Sequence, residues 1–137
     1  AIRWPPEDLP LLTVEVDHIR WVRQFEALIN AEPDSGLPVP PLDAHACRFG
    51  QWLDSDDFQR YAHLQAVQKI VPIHDEVHRC GAELVHLYAD NPPAARQRLG
   101  EIFQLRDKLL ASLGALRQAV IHADIGSANS NSPTAAR

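Results

Sequence analysis

The chain has 137 residues, 45% hydrophobic and 23% charged, enough for one domain that buries its own core without help from disulfides. Thirteen Lys and Arg against eighteen Asp and Glu give a formal charge of −5; the basic residues are scattered, so the footprint of a phosphate-backbone binder is missing and nucleic acid is excluded as an expected partner. No window approaches the roughly 18–20 unbroken apolar residues of a membrane span, which predicts a soluble protein with no membrane partner.

From Ala1 to Pro10 there is no basic stretch followed by an apolar one, so no secretory signal is read and a cytoplasmic location is expected. The start at Ala1, without Met, fits a processed terminus and an excised piece of a longer protein equally. From about Leu9 to Ala31 the residues Leu11, Val14, Trp21, Val22, Phe25 and Ile29 recur at helical spacings, predicting an amphipathic helix with His18 inside its apolar stripe. Residues 33 to 43 hold four prolines and a glycine and read as an extended connection. Ala44 to Leu53, with Cys47, Phe49, Gly50 and Trp52, is read as one or two helical turns, and a second short helix is expected from Ser55 as N-cap.

A longer periodic segment runs from about His63 to Ala89, where Pro72 is expected to kink or restart the helix. It stops at Asp90-Asn91-Pro92-Pro93. Ala94 to Ala123 then reads as one further helix, apolar over more than a narrow stripe. The tail from Gly126 to Arg137 has almost nothing to bury and is expected to be a flexible linker. The fold class is therefore all-α, a bundle of about three long helices and one or two short ones, forming one domain over residues 1–125.

Seven histidines and two cysteines, Cys47 and Cys80, direct attention to metal. The cysteines are too few for a disulfide framework and are expected as thiols. His74-Asp75-Glu76-Val77-His78 places two imidazoles on one helix face, where both reach a single ion, although two ordinary helix histidines show the same spacing. His18, in an apolar stripe, needs a buried partner because an unpartnered ring costs about 1–3 kcal/mol there. A backbone carbonyl, a carboxylate or a metal each meets that need. Cys47 is a soft donor when deprotonated, or else a buried free thiol. Together three imidazoles and one thiolate match a closed tetrahedral zinc site, and the mixed donors favour Zn²⁺ over Mg²⁺ or Ca²⁺. His45, His63, His86 and His122 are read as surface or hydrogen-bonded residues, and Cys80, two positions from His78, as a packed thiol off the metal-facing side.

The run Cys47-Arg48-Phe49-Gly50-Gln51-Trp52-Leu53, with Asp17-His18 and Trp21 upstream and His74-x-x-x-His78 downstream, resembles the bacterial chemoreceptor zinc-binding (CZB) domain family over roughly residues 10 to 90. The resemblance implies His18, Cys47, His74 and His78 as zinc ligands, with no catalytic residue. It also implies a cytoplasmic regulatory domain attached to chemoreceptors or diguanylate cyclases, or free-standing. His78-Arg79-Cys80-Gly81-x-Glu83-Leu84 and the long helix after Pro93 look closer to the cyclase-linked or free-standing branch. An output domain in cis, or a signalling partner, is implied with it.

Three functions follow from these residues. A zinc-occupancy sensor is favoured because four protein donors leave no open position for the water of a catalytic zinc. An oxidant sensor shares the site, since zinc-bound Cys47 is already ionised. A zinc hydrolase is the remote reading, because Asp75 stands where the H-E-x-x-H helix requires glutamate. A homodimer through the first and last long helices is expected, because one small bundle leaves Phe103, Leu105, Leu109, Leu110 and Leu113 hard to cover at once.

Overall fold

A computed structural model of the chain describes residues 11–130, and the expectations for residues 1–10 and 131–137 lie outside the described residues. In chain order it contains α1 (Leu11–Asn30), α2 (Arg48–Leu53), a 3₁₀ turn (Asp56–Arg60), α3 (Gln65–Asp90), α4 (Pro92–Gln97) and α5 (Leu99–Ser130). Among the described residues there is no strand, and the fold is the expected all-α bundle of three long helices with short connecting ones.

Each long helix forms because its apolar residues recur along one face. α1 buries Leu11, Val14, His18, Trp21, Val22, Phe25, Leu28 and Ile29. α3 buries Val67, Ile70, His74, Val77, His78, Cys80, Gly81, Leu84 and Tyr88. α5 packs along α3 and also touches α1, contributing Ile102, Leu109, Leu113, Leu116 and Val120 with no measurable exposure. Close seating of α1 on α3 depends on Gly81, where a Cβ would come within 2.8 Å of the Trp21 ring and 2.9 Å of Phe25.

Three local expectations differ from the structure. α3 is continuous through Pro72 and does not restart there. The segment from Ser55 winds as a five-residue 3₁₀ turn. Ser55 holds the N-cap position without capping, because its hydroxyl donates back to the Trp52 carbonyl at 2.6 Å. The single helix expected from Ala94 is two: Pro92 and Pro93 open α4, with the Asn91 side chain accepting from Ala94 N–H at 3.2 Å, and Arg98 separates α4 from α5.

That short α4 has a structural task. Arg96 donates from Nε to the Ile29 carbonyl at 2.9 Å and from Nη2 to the Ala31 carbonyl at 3.1 Å, and the Tyr88 hydroxyl donates to Ala31 at 2.7 Å. The Ile29 carbonyl in the last turn of α1, where carbonyls lack partners inside their own helix, and the Ala31 carbonyl just beyond it are thereby satisfied by α3 and α4. α5 runs to Ser130, beyond Gly126 where the tail was expected to begin.

Candidate metal centre

One turn of α3 separates His74 from His78, both on its buried face, and α1 brings His18 to the same point; their exposures are 1%, 3% and 2%. The ring centroids lie 4.6 Å apart for His74 and His78, 5.3 Å for His18 and His74, and 5.8 Å for His18 and His78. Cys47 closes the group from the residue before α2. Its backbone is extended (φ −79°, ψ 160°), and its Sγ caps the helix by accepting from Gly50 N–H at 3.3 Å. Gly50 is required by contact: a Cβ there would lie 1.8 Å from the Ala44 carbonyl oxygen. With that close turn in place, Cys47 Sγ is 3.2 Å from His74 Nε2 and 3.3 Å from the Ala44 carbonyl.

One donor atom from each of His18, Cys47, His74 and His78 lies within 4.8 Å of all the others. The edges of a zinc tetrahedron with bonds of about 2.0–2.3 Å are about 3.3–3.8 Å, so the spread is close to that of a loaded site. Tautomers point the same way. His18 Nδ1 donates to the Val14 carbonyl at 2.9 Å, and His78 Nδ1 donates to the Leu42 carbonyl at 3.2 Å. In both rings Nε2 is then an acceptor, and both Nε2 atoms are buried with no hydrogen-bond partner. Two orphaned lone pairs in an apolar interior cost about 1–3 kcal/mol each, and a metal ion at this point removes that cost. The residues present therefore fit zinc on their own geometry and donor chemistry.

Burial sets the charge state. It pushes His74 down to about 3, helped by the neighbouring His78 and His18 rings. His78 is pushed down to about 4, first by burial and then by His18, against the opposing Leu42 hydrogen bond. His18 is also lowered by burial. The Cys47 thiol is raised by burial, against the backbone N–H groups of Gly50 and Phe49. At neutral pH the centre thus presents three neutral imidazoles and a thiol. Phe49, 4.9 Å edge-on to His74, and Trp21, 4.6 Å from His78, wall it with aromatic surface. A cleft of about 340 Å³, lined in part by Asp17, Cys47, Arg48 and Pro41, opens beside it.

All four residues singled out in the sequence are brought together. His45 is exposed and paired with Asp54 at 3.0 Å, and His63, His86 and His122 are exposed elsewhere. Cys80 is buried at 3% and lines a separate cleft with Glu76, Arg79, Glu83 and Arg98, its thiol pushed up to about 11 by burial. The parts that sequence reasoning did not find are the Val14 and Leu42 carbonyls. Every residue carries a carbonyl, so their selection has no signature in residue type.

Fold and site together define a class: an all-α domain in which two long helices and an intervening turn converge a preformed four-donor centre suited to zinc. The family model of the chemoreceptor zinc-binding domain (CZB) matches residues 18–85, a stretch that contains all four donors and begins on His18. No curated protein and no solved structure matches the chain. Among the described residues no helix is long and apolar enough to cross a membrane.

Proposed function

We propose that this is a regulatory domain of the bacterial cytoplasm that holds one zinc ion through His18, Cys47, His74 and His78, and whose zinc occupancy controls a signalling output, a diguanylate cyclase or a chemotaxis protein. The observation that carries the reading is the pair of buried, partnerless Nε2 atoms on His18 and His78, beside His74 and the Cys47 sulfur. When bound, zinc supplies a junction between α1, the turn before α2, and α3, three parts of the chain otherwise joined by loops and packing. The donor count supports regulation over hydrolysis, since four protein ligands complete the tetrahedron that a catalytic zinc leaves open.

Elemental analysis of the purified protein tests this. About one zinc per chain is expected, with Cys47→Ala or His74→Ala weakening binding about a hundredfold or more, as one ligand's share of a structural site, and Cys80→Ala remaining near wild type. Equal loss from the Cys80 change overturns the ligand set.

A second reading, oxidant sensing, has its own observation: Cys47 is only half-buried and lies on the wall of the open cleft. A zinc-bound thiolate there is ionised and reachable, so oxidation would weaken the metal bond. Zinc ejected by a physiological oxidant favours this trigger; ejection by chelator alone favours free zinc.

A further inference from the structure

The connection between α1 and α2 carries Pro33, Pro38, Pro40 and Pro41, four positions without a backbone N–H to donate. Two side chains grip it at consecutive carbonyls. The Trp21 indole Nε1 donates to the Pro41 carbonyl at 2.6 Å, and His78 Nδ1 donates to the Leu42 carbonyl at 3.2 Å. The Trp21 ring itself lies 4.6 Å from the His78 ring, tilted by 45°, and 4.4 Å from Phe25. Its edge fills the space that a Cβ at Gly81 would need. Ring and helix therefore hold the indole N–H in one direction, toward the proline segment.

A carbonyl fixed at Pro41 orients the whole planar peptide that leads into Leu42. Only the two soft dihedrals of Leu42 then separate that plane from the carbonyl that accepts from His78. Metal-bound imidazoles commonly depend on such a partner at the other ring nitrogen, which sets tautomer and ring orientation. We infer that Trp21 is a positioning residue of the metal centre: by pinning the Pro41 carbonyl it holds the adjacent Leu42 carbonyl at His78 Nδ1, and so keeps His78 Nε2 bare and aimed at the metal. The inference rests on the proposed role of His78 as a ligand. It assigns to Trp21 a task that its apolar position in the α1 stripe does not disclose.

Long-range ¹⁵N–¹H spectra of the whole metal-free chain read the His78 tautomer directly, and chelator competition reads zinc release. In wild type the proton is expected on Nδ1. Trp21→Phe keeps an aromatic ring and removes the donor; it is expected to populate the Nε2–H tautomer of His78 and to speed zinc release about tenfold to a hundredfold, the range for loss of an outer-shell partner, with helical circular dichroism unchanged. Phe25→Leu disturbs the same packing without touching the indole donor, and is expected to leave tautomer and release near wild type. An equal effect of Phe25→Leu makes the role one of packing and overturns the inference. If His78→Ala leaves zinc binding intact, the ligand reading itself fails. If His78→Ala weakens binding while Trp21→Phe changes neither tautomer nor release, the positioning role alone is overturned. Should Trp21→Phe fail to fold, the wild-type spectrum decides: an Nε2–H tautomer on His78, or a Trp21 indole proton exchanging at the solvent rate, overturns it.

Discussion

His18, His74 and His78 each lie within 6 Å of another imidazole in a buried cluster, and a proton on any of them is opposed by lost hydration and by its neighbours. Their folded-state values are depressed, to about 3 for His74 and about 4 for His78, below the unfolded value of about 6.5. Between those limits the unfolded chain binds more protons, so stability is fully present above about pH 6.5 and is lost as pH falls toward the folded values. The metal-free domain is expected to lose on the order of 2 kcal/mol per ring for His74 and His78 between pH 7 and pH 5, read as a lower urea midpoint. A midpoint independent of pH over that range contradicts the burial of neutral rings. The same charge states set the proton count of metal binding. Neutral imidazoles have nothing to release, while the Cys47 thiol, raised by burial, is protonated at pH 7. Calorimetry in buffers of different ionisation enthalpy is therefore expected to find about one proton released per zinc, and about four would mean that all three rings are charged as well.

At the scale of elements, the candidate centre draws on parts of very different intrinsic stability. α1, α3 and α5 share a continuous core through Phe25, Ile70, Val77, Leu84, Leu109 and Leu113, all fully buried. α2 has six residues, too few to persist alone, and its N-cap is Cys47 itself. Chelation is thus expected to leave most of the circular dichroism helical signal in place while amide exchange speeds in α2 and in the turn before it; complete loss of helicity would show the metal to be a folding staple. The long helices were legible in the sequence because Leu11, Val14, Val22, Phe25 and Ile29, and their counterparts in α3 and α5, repeat with the helical period. The four donors were legible because imidazole and thiolate are scarce and chemically distinct. The break at Arg98 was not legible. Ala94-Ala95-Arg96-Gln97-Arg98-Leu99 contains no proline or glycine, and what singles the place out is distant in sequence: Arg96 reaches the carbonyls that end α1. At Pro72 the restart does not occur, since tertiary packing of Ile70, His74 and Val77 on one buried face keeps α3 continuous around it.

For the whole molecule, the five α5 residues behind the expected dimer divide. Leu109 and Leu113 are fully buried within the chain, and Phe103, Leu105 and Leu110 are half-buried against the core. The large apolar side chains left most exposed on the long helices are Leu12 and Val16, on one face of α1 at 50% and 53%, and Ile125 on α5 at 54%. Leu12 and Val16, four residues apart, form a short apolar stripe on the helix that also carries His18. We propose a homodimer that uses these faces of α1 and α5, so that a shift of α1 on zinc loading reaches both chains. Sedimentation at micromolar concentration is expected to give a dimer, weakened by Leu12→Glu with Val16→Glu; a strict monomer leaves recruitment of another protein as the route to output.

α5 contributes no donor to the centre, yet it packs along α3, which contributes two. Its 32 residues make a lever arm about 48 Å long, against about 30 Å for α1. A swing of about 5° about the first turn moves a point one turn along by about 0.5 Å and the far end by about 4 Å. The mechanical gain is roughly eight- to ninefold along the rod. If α5 tilted in this way, an adjustment no larger than the one that draws four donors onto an ion would become, at the end of α5, a displacement as wide as a side chain.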